Sequence, residues 1–256
     1  MKKFSLFALS ITALVSCTKE VDVKLDNAEA QVVIEGQVTN VSFAEVKLSK
    51  SVPFSNSNHF PAISGAVVNI TDNEGTKYEL TETTPGTYSN ASLTGVPGRT
   101  YQLHIVAEGK TYAASSAMPL PVTLDSLVAE KLFMGTEYIY IVKPVYTDPP
   151  QLGNCYRFIE TINNKRYPHT WTWDDKMLND GVSSIPLVQR DSTIAVNDVV
   201  EVEMQCIDKN VFRYFEALSD MKHNATTPAN PPSNISGGAL GYFSAHTSQK
   251  KKVVVR

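Results

Sequence analysis

Cysteine is scarce. The 256 residues hold three, Cys17, Cys155 and Cys206, with no CxxC pair among them. That spacing leaves zinc ribbons and dithiol redox motifs without their ligands. Histidine is almost as sparse: His59, His104, His169, His223 and His246 never fall into HxH or HxxxH spacing. Neither a metal site nor a cofactor is therefore expected. The chain has no GxSxG, no HExxH and no phosphate-cradling P-loop, and no nucleophile–base pair is visible, so catalysis is not expected. Basic residues are in deficit, 23 against 26 acidic, which argues against nucleic acid and against adherence to anionic lipid. The one basic run, Lys250-Lys251-Lys252, reads as the solvated start of a closing strand.

The N-terminus carries the most specific signal. Met1-Lys2-Lys3 is followed by an uncharged stretch from Phe4 to Val15, the shape of a secretory leader. That core is too short to cross a bilayer comfortably, and no later run is long and apolar enough to do so. Leu14-Val15-Ser16-Cys17 then matches a lipobox, in which the cysteine thiol takes a diacylglyceryl group and the chain is cut before it. Residues 1–16 are expected to be a signal peptide, Cys17 the lipidation site, and 17–30 a polar tether. Each buried methylene contributes about 0.8 kcal/mol, so two or three acyl chains hold a soluble body stably on a membrane.

From Gln31 the pattern is that of β-structure. Short alternating runs at 31–38, 44–50, 66–71, 77–82, 86–89, 100–107 and 110–114 are separated by turn residues. Parity proposes inward sets such as Ile34 with Val38, Val68 with Ile70, and Tyr101 with Leu103 and Ile105. Seven short strands without a helix suggest a β-sandwich over 31–118. Met118-Pro119-Leu120-Pro121 reads as a stiff connector where a ladder must stop. A second unit is expected over 122–256, mainly antiparallel strands with one helix near 209–223. Asp208 would cap that helix, and Val211, Phe212, Phe215, Leu218 and Met221 would form its apolar stripe. Gly241–Ala245 and Lys251–Arg256 look like two closing strands. The two halves are expected to fold separately.

Within the second half, Tyr167, His169, Trp171 and Trp173 alternate with polar residues and so share one strand face. Trp171 and Trp173, with Asp174 and Asp175 beside them, form the one candidate ligand platform. The alternative is the core-facing side of a sheet, and burial is the expected outcome, with at most one ring near the surface. Glu201 and Glu203 read as a solvated outer face opposite Val200, Val202 and Met204. Ser236-Gly237-Gly238 reads as a turn rather than an anion nest. Cys155 and Cys206 lie in strands, either bonded to each other or buried as separate thiols.

Two blocks resemble known families. Ser64 to Ile70, Asp72, Gly75, Gly86-Thr87-Tyr88 and Gly98-Arg99-Thr100-Tyr101-Gln102-Leu103 are similar to the transthyretin-like modules of carboxypeptidase regulatory domains. Pro232 to Phe243, with Gly237-Gly238, resembles the closing motif of a Bacteroidetes lipoprotein family, domain of unknown function 4249. That resemblance covers nearly the whole mature chain. It implies an outer-membrane lipoprotein, often encoded beside TonB-dependent outer-membrane transporters, and it supplies no reaction. Thr18-Lys19-Glu20 is similar to the short charged signal that sends such proteins to the cell surface. The expectation is a non-enzymatic binding or accessory partner of a TonB-dependent transporter, its ligand unidentified. The alternatives are an envelope scaffold for other proteins, or a glycan or peptide hydrolase.

Overall fold

The computed structural model describes residues 29–53, 59–135, 137–176, 181–189, 194–223 and 230–256, without the side chains of 222 and 223. The expected leader, the expected lipidation site Cys17 and most of the expected tether lie outside these residues.

Seven strands come first: β1 (Val32–Thr39), β2 (Phe43–Lys50), β3 (Val67–Asp72), β4 (Lys77–Thr84), β5 (Thr87–Thr94), β6 (Thr100–Ala107) and β7 (Lys110–Ala117). Their alternation sets their faces. In β6, Tyr101, Leu103, Ile105 and Ala107 are buried while the residues between them are not. β4 switches layer midway: Lys77–Leu80 pairs with β3, and Thr81–Thr84 with β5. The two layers close on each other, for a Cβ placed on Gly36 of β1 would meet both Val46 of β2 and Leu103 of β6 at 3.5 Å. This is a β-sandwich.

The second half adds β8 (Leu124–Met134), β9 (Glu137–Asp148), β10 (Cys155–Ile162), β11 (Lys165–Asp174), β12 (Gly181–Ser183) and β13 (Val199–Cys206). Helix α1 (Lys209–His223), β14 (Ile235–Ser236) and β15 (Leu240–Val254) follow. Strands β12, β9 and β8 form a separate three-stranded sheet. It covers one face of β10 and β13, enclosing Tyr146, Tyr156, Phe158, Val200, Val202 and Met204 in a second core. Asp208 caps α1 as expected, its Oδ1 accepting from the N–H groups of Asn210 at 2.8 Å and Val211 at 3.0 Å. The stripe of Val211, Phe212 and Phe215 packs on the opposite face of the sheet, beside Cys155 and Ile207.

Two expectations change. The two closing strands are one strand, β15, and it belongs to both halves. Leu240–His246 pairs in parallel with β1, and Thr247–Val254 pairs antiparallel with β13. The first core accordingly includes Ile235, Ala239, Phe243 and Ala245. The expected unit 31–118 is thus completed by residues that the pattern assigned to 122–256. The proline connector does mark the passage between cores, but the chain crosses back. The polar stretch His246 to Gln249, which reads locally as an interruption, stays in the strand, where His246 and Ser248 find side-chain partners on one face and Gln249 a backbone partner on the other.

Candidate functional site

The site begins with a charge in the wrong kind of strand. β10 reads CYRFIETI, and its even positions Tyr156, Phe158 and Glu160 point into the second core. Arg157 therefore points the other way, onto the face that α1 covers. The register places it opposite Gln205 of β13, which stands opposite Ser248 of β15. Tyr242, Ser244 and His246 continue that face along β15, opposite Glu35, Gln37 and Thr39 of β1. The result is a polar floor running across four strands, roofed at one end by α1.

Two neighbouring hollows open on this floor. One, of about 340 Å³, is lined by Glu35, Glu45, Arg157, Tyr214 and Tyr242 among others. The second, of about 430 Å³, is lined by Thr39, Arg157, Glu203, Gln205, His246 and Ser248 among others. Arg157, Arg166 and Tyr242 border both. Arg157 is 7% exposed. Its Nη1 donates to Gln205 Oε1 at 3.3 Å, and its guanidinium carbon lies 3.6 Å from the centre of the Phe215 ring. Burial pulls this guanidinium down to about 10, and the Arg166 charge acts in the same direction; it stays protonated at neutral pH. Burial, with Arg157 adding to it, lowers the His246 imidazole to about 4, so that ring is neutral. Burial opposes the charge on Glu203, yet hydrogen bonds from Gln205 and Ser248, with Lys250, outweigh it and hold the carboxyl below its ordinary value. Glu203 and Glu201 are not simply solvated: they pair with Lys250 and Lys252 across the strands.

The family described as "Domain of unknown function (DUF4249)" matches residues 18–252. The chain belongs to that family. No curated protein matches it. A solved two-domain fibronectin type-III segment of chicken tenascin aligns over 90% of this chain and all of its own length, at 11% identity and a TM-score of 0.27.

In this DUF4249 chain the sequence blocks that carry the resemblance serve the fold. The Tyr88 hydroxyl donates to Ile63 O at 3.0 Å and accepts from Ala66 N at 3.0 Å, holding the loop before β3. Arg99 reaches the buried Asp72 carboxylate at 3.0 Å. Gly237 sits at φ +96, where a Cβ would lie 2.5 Å from Thr111 O, so the Gly-Gly block makes a tight turn against β7.

The tryptophan platform is not assembled. Trp173 is 7% exposed in the second core, its ring 4.5 Å from Phe158. Trp171 is half-buried against the same core and stacks on Tyr167 at 5.6 Å. Asp174 lies opposite Cys155 on the other face, and Asp175 accepts the Gly153 N–H and that of Asn154. Strand alternation separates the rings from one carboxylate, and a turn engages the other. Trp173→Ala should cost about 3–5 kcal/mol in a denaturant melt, and Trp171→Ala only about 1–2 kcal/mol. Equal small losses, with both rings quenched by iodide, would restore the platform. Cys155 and Cys206 are separate buried thiols on opposite faces, Cys155 packed beneath α1 and Cys206 in the second core. Burial pushes the Cys155 thiol up to about 12. Among the described residues, no group of three or more His, Cys, Asp or Glu could hold a metal ion.

Sequence reasoning missed Arg157, Tyr242 and His246. The signal was available in β10, where Arg157 and Glu160 interrupt an apolar run on opposite parities. Glu160 is wholly buried, bonded by Gln189 Nε2, with Oε1 unpartnered among the described residues. Burial pushes its carboxyl from 4.5 up to about 7. Between those values the folded chain holds a proton that the unfolded chain has released, so stability falls as pH rises, by about 3 kcal/mol in all. Glu160→Gln should abolish that fall in urea melts at pH 5 and pH 8. Parallel pH dependence in wild type and variant would mean that the buried carboxyl does not titrate there.

Proposed function

We propose that this protein is a non-enzymatic lipoprotein of the bacterial outer membrane, anchored through Cys17 and serving as a binding or accessory partner of a TonB-dependent transporter. The cleft at Arg157 is its recognition surface, and that cleft carries the reading. It is half-open, walled by aromatic rings, and floored by polar groups that hold one another in place. It contains a serine–histidine contact, Ser244 Oγ to His246 Nδ1 at 3.0 Å, but the two residues are 2% and 3% exposed. A substrate carbonyl has no route to that oxygen, which favours binding over hydrolysis. A second feature supports a protein partner. The β8–β9 hairpin ends in exposed Phe133 and Tyr138, their rings 5.1 Å apart, with Met134 beside them. The lipobox and the family's closing motif support the envelope address, and the transthyretin-like block fits a spacer role for the N-terminal sandwich.

Metabolic labelling with a palmitate analogue, followed by crosslinking in native membranes, tests both halves of the proposal. Wild type should be labelled and Cys17→Ser should not, and a TonB-dependent transporter should be recovered with the wild type. Equal labelling of the two removes the anchor. Recovery of other envelope proteins alone moves the function to a scaffold.

A further inference from the structure

We infer that the cleft between Arg157, Arg166 and Tyr242 binds a monoanionic carboxylate. This rests on reading the cleft as the recognition surface and names the chemistry it recognises.

A buried guanidinium without an anion is costly, because charge taken from water must be repaid by a counter-charge or a full set of acceptors. Arg157 has neither. No carboxylate stands within ion-pair distance of it among the described residues, and its Nε carries no hydrogen bond. Gln205 supplies a neutral acceptor at 3.3 Å, the Tyr242 hydroxyl another and Phe215 a ring face, while the Glu203 charge acts on it only from beyond ion-pair distance. None of these partners forms an ion pair with the guanidinium. Arg166 brings a second guanidinium to the same opening, again without an ion pair among the described residues. Two like charges held together at a solvent-reaching hollow make a site for an anion.

The neighbours set how much negative charge fits. Lys47 is matched by Glu45, Lys250 by Glu203 and Lys252 by Glu201. What remains is Arg157 and Arg166 against Glu35, an excess of one positive charge at the cleft. Glu203 and Glu35 on its walls would repel a dianionic phosphate, whereas a carboxylate cancels the excess. A planar carboxylate also matches the fork of an arginine, which can donate two parallel N–H bonds. Tyr214 and Tyr242, both half-buried at the cleft, then offer ring surface to the body that carries it. A sugar acid and a peptide C-terminus both present this chemistry.

Titration of the full lipidated chain in detergent, by calorimetry, distinguishes the sources. The probes are glucuronate, an N-acetylated dipeptide, the methyl ester of each, and inorganic phosphate. Saturable binding of at least one carboxylate is expected, with no binding of its ester. Arg166→Gln lies at the exposed edge and should fold normally, with binding weakened about tenfold; Arg157→Lys keeps the charge, loses the fork and should do the same. Ester binding equal to acid binding, preference for phosphate, absence of saturable binding by either carboxylate, or undiminished affinity in Arg166→Gln would overturn the inference. Palmitate labelling of Arg166→Gln should be unchanged, because Cys17 is remote in sequence from the cleft, and labelling and transporter crosslinking of the wild type are read alongside, so failure of ligand binding and failure of the envelope role are distinguishable.

Discussion

Alanine at position 241 is expected to destabilise the protein by about 3–5 kcal/mol, combining a left-handed backbone with a steric clash. Gly241 has φ +98, and a Cβ there would lie 2.0 Å from Ile34 O and 2.8 Å from Ile34 C. The atom it meets is backbone in β1, which cannot rotate aside. The chain needs this approach because Gly241 stands directly opposite Ile34 in the β1–β15 pairing. Gly238→Ala is the control. Its φ of +81 is equally unfavourable, but nothing lies within 4 Å of the added carbon, so the cost should stay near 1–2 kcal/mol. Guanidinium melts of the two variants measure the difference. If they lose the same amount, the close approach of β15 to β1 is not maintained in solution.

The second large effect concerns a fragment. Residues 29–121 hold β1 to β7 and have the strand pattern of a self-sufficient sandwich. The fragment is nonetheless expected to lack a cooperative melt. It loses Phe243, wholly buried in the first core, together with Ile235, Ala239 and Ala245. Truncating one such phenylalanine costs about 3–5 kcal/mol, against a total stability on the order of 5–15 kcal/mol. It also exposes the β1 edge, a row of unpaired backbone groups that invites aggregation. Addition of a peptide spanning residues 230–256 should restore a melt by supplying β14 and β15. A sharp transition without the peptide would show that seven strands suffice.

Local features of this fold were legible and distant ones were not. The alternation in β6 and the stripe on α1 reveal their own buried faces, because each depends on side chains a few residues apart. The cap at Asp208 is equally local, although the sequence gives no hint that Ser116 donates to the same carboxylate from the first sandwich. β15 reads as two strands because His246, Thr247, Ser248 and Gln249 are polar. They are stranded and largely buried because β1 and β13 flank them, an arrangement no local window contains. The candidate site failed for a related reason. Tryptophans draw attention by their size, while Arg157 acquires meaning only when α1, β13 and β15 converge on it.

The shared strand also has a kinetic meaning. Phe243 must find Gly36 across roughly 200 residues of chain, and such closures are entropically expensive and slow. Neither core can be sealed before β15 is available, so the order of synthesis delays folding of everything that precedes it. A chain held open in this way can be passed through a narrow channel without first being unfolded. Under the export that we propose, late closure would keep the polypeptide threadable until β15 had crossed.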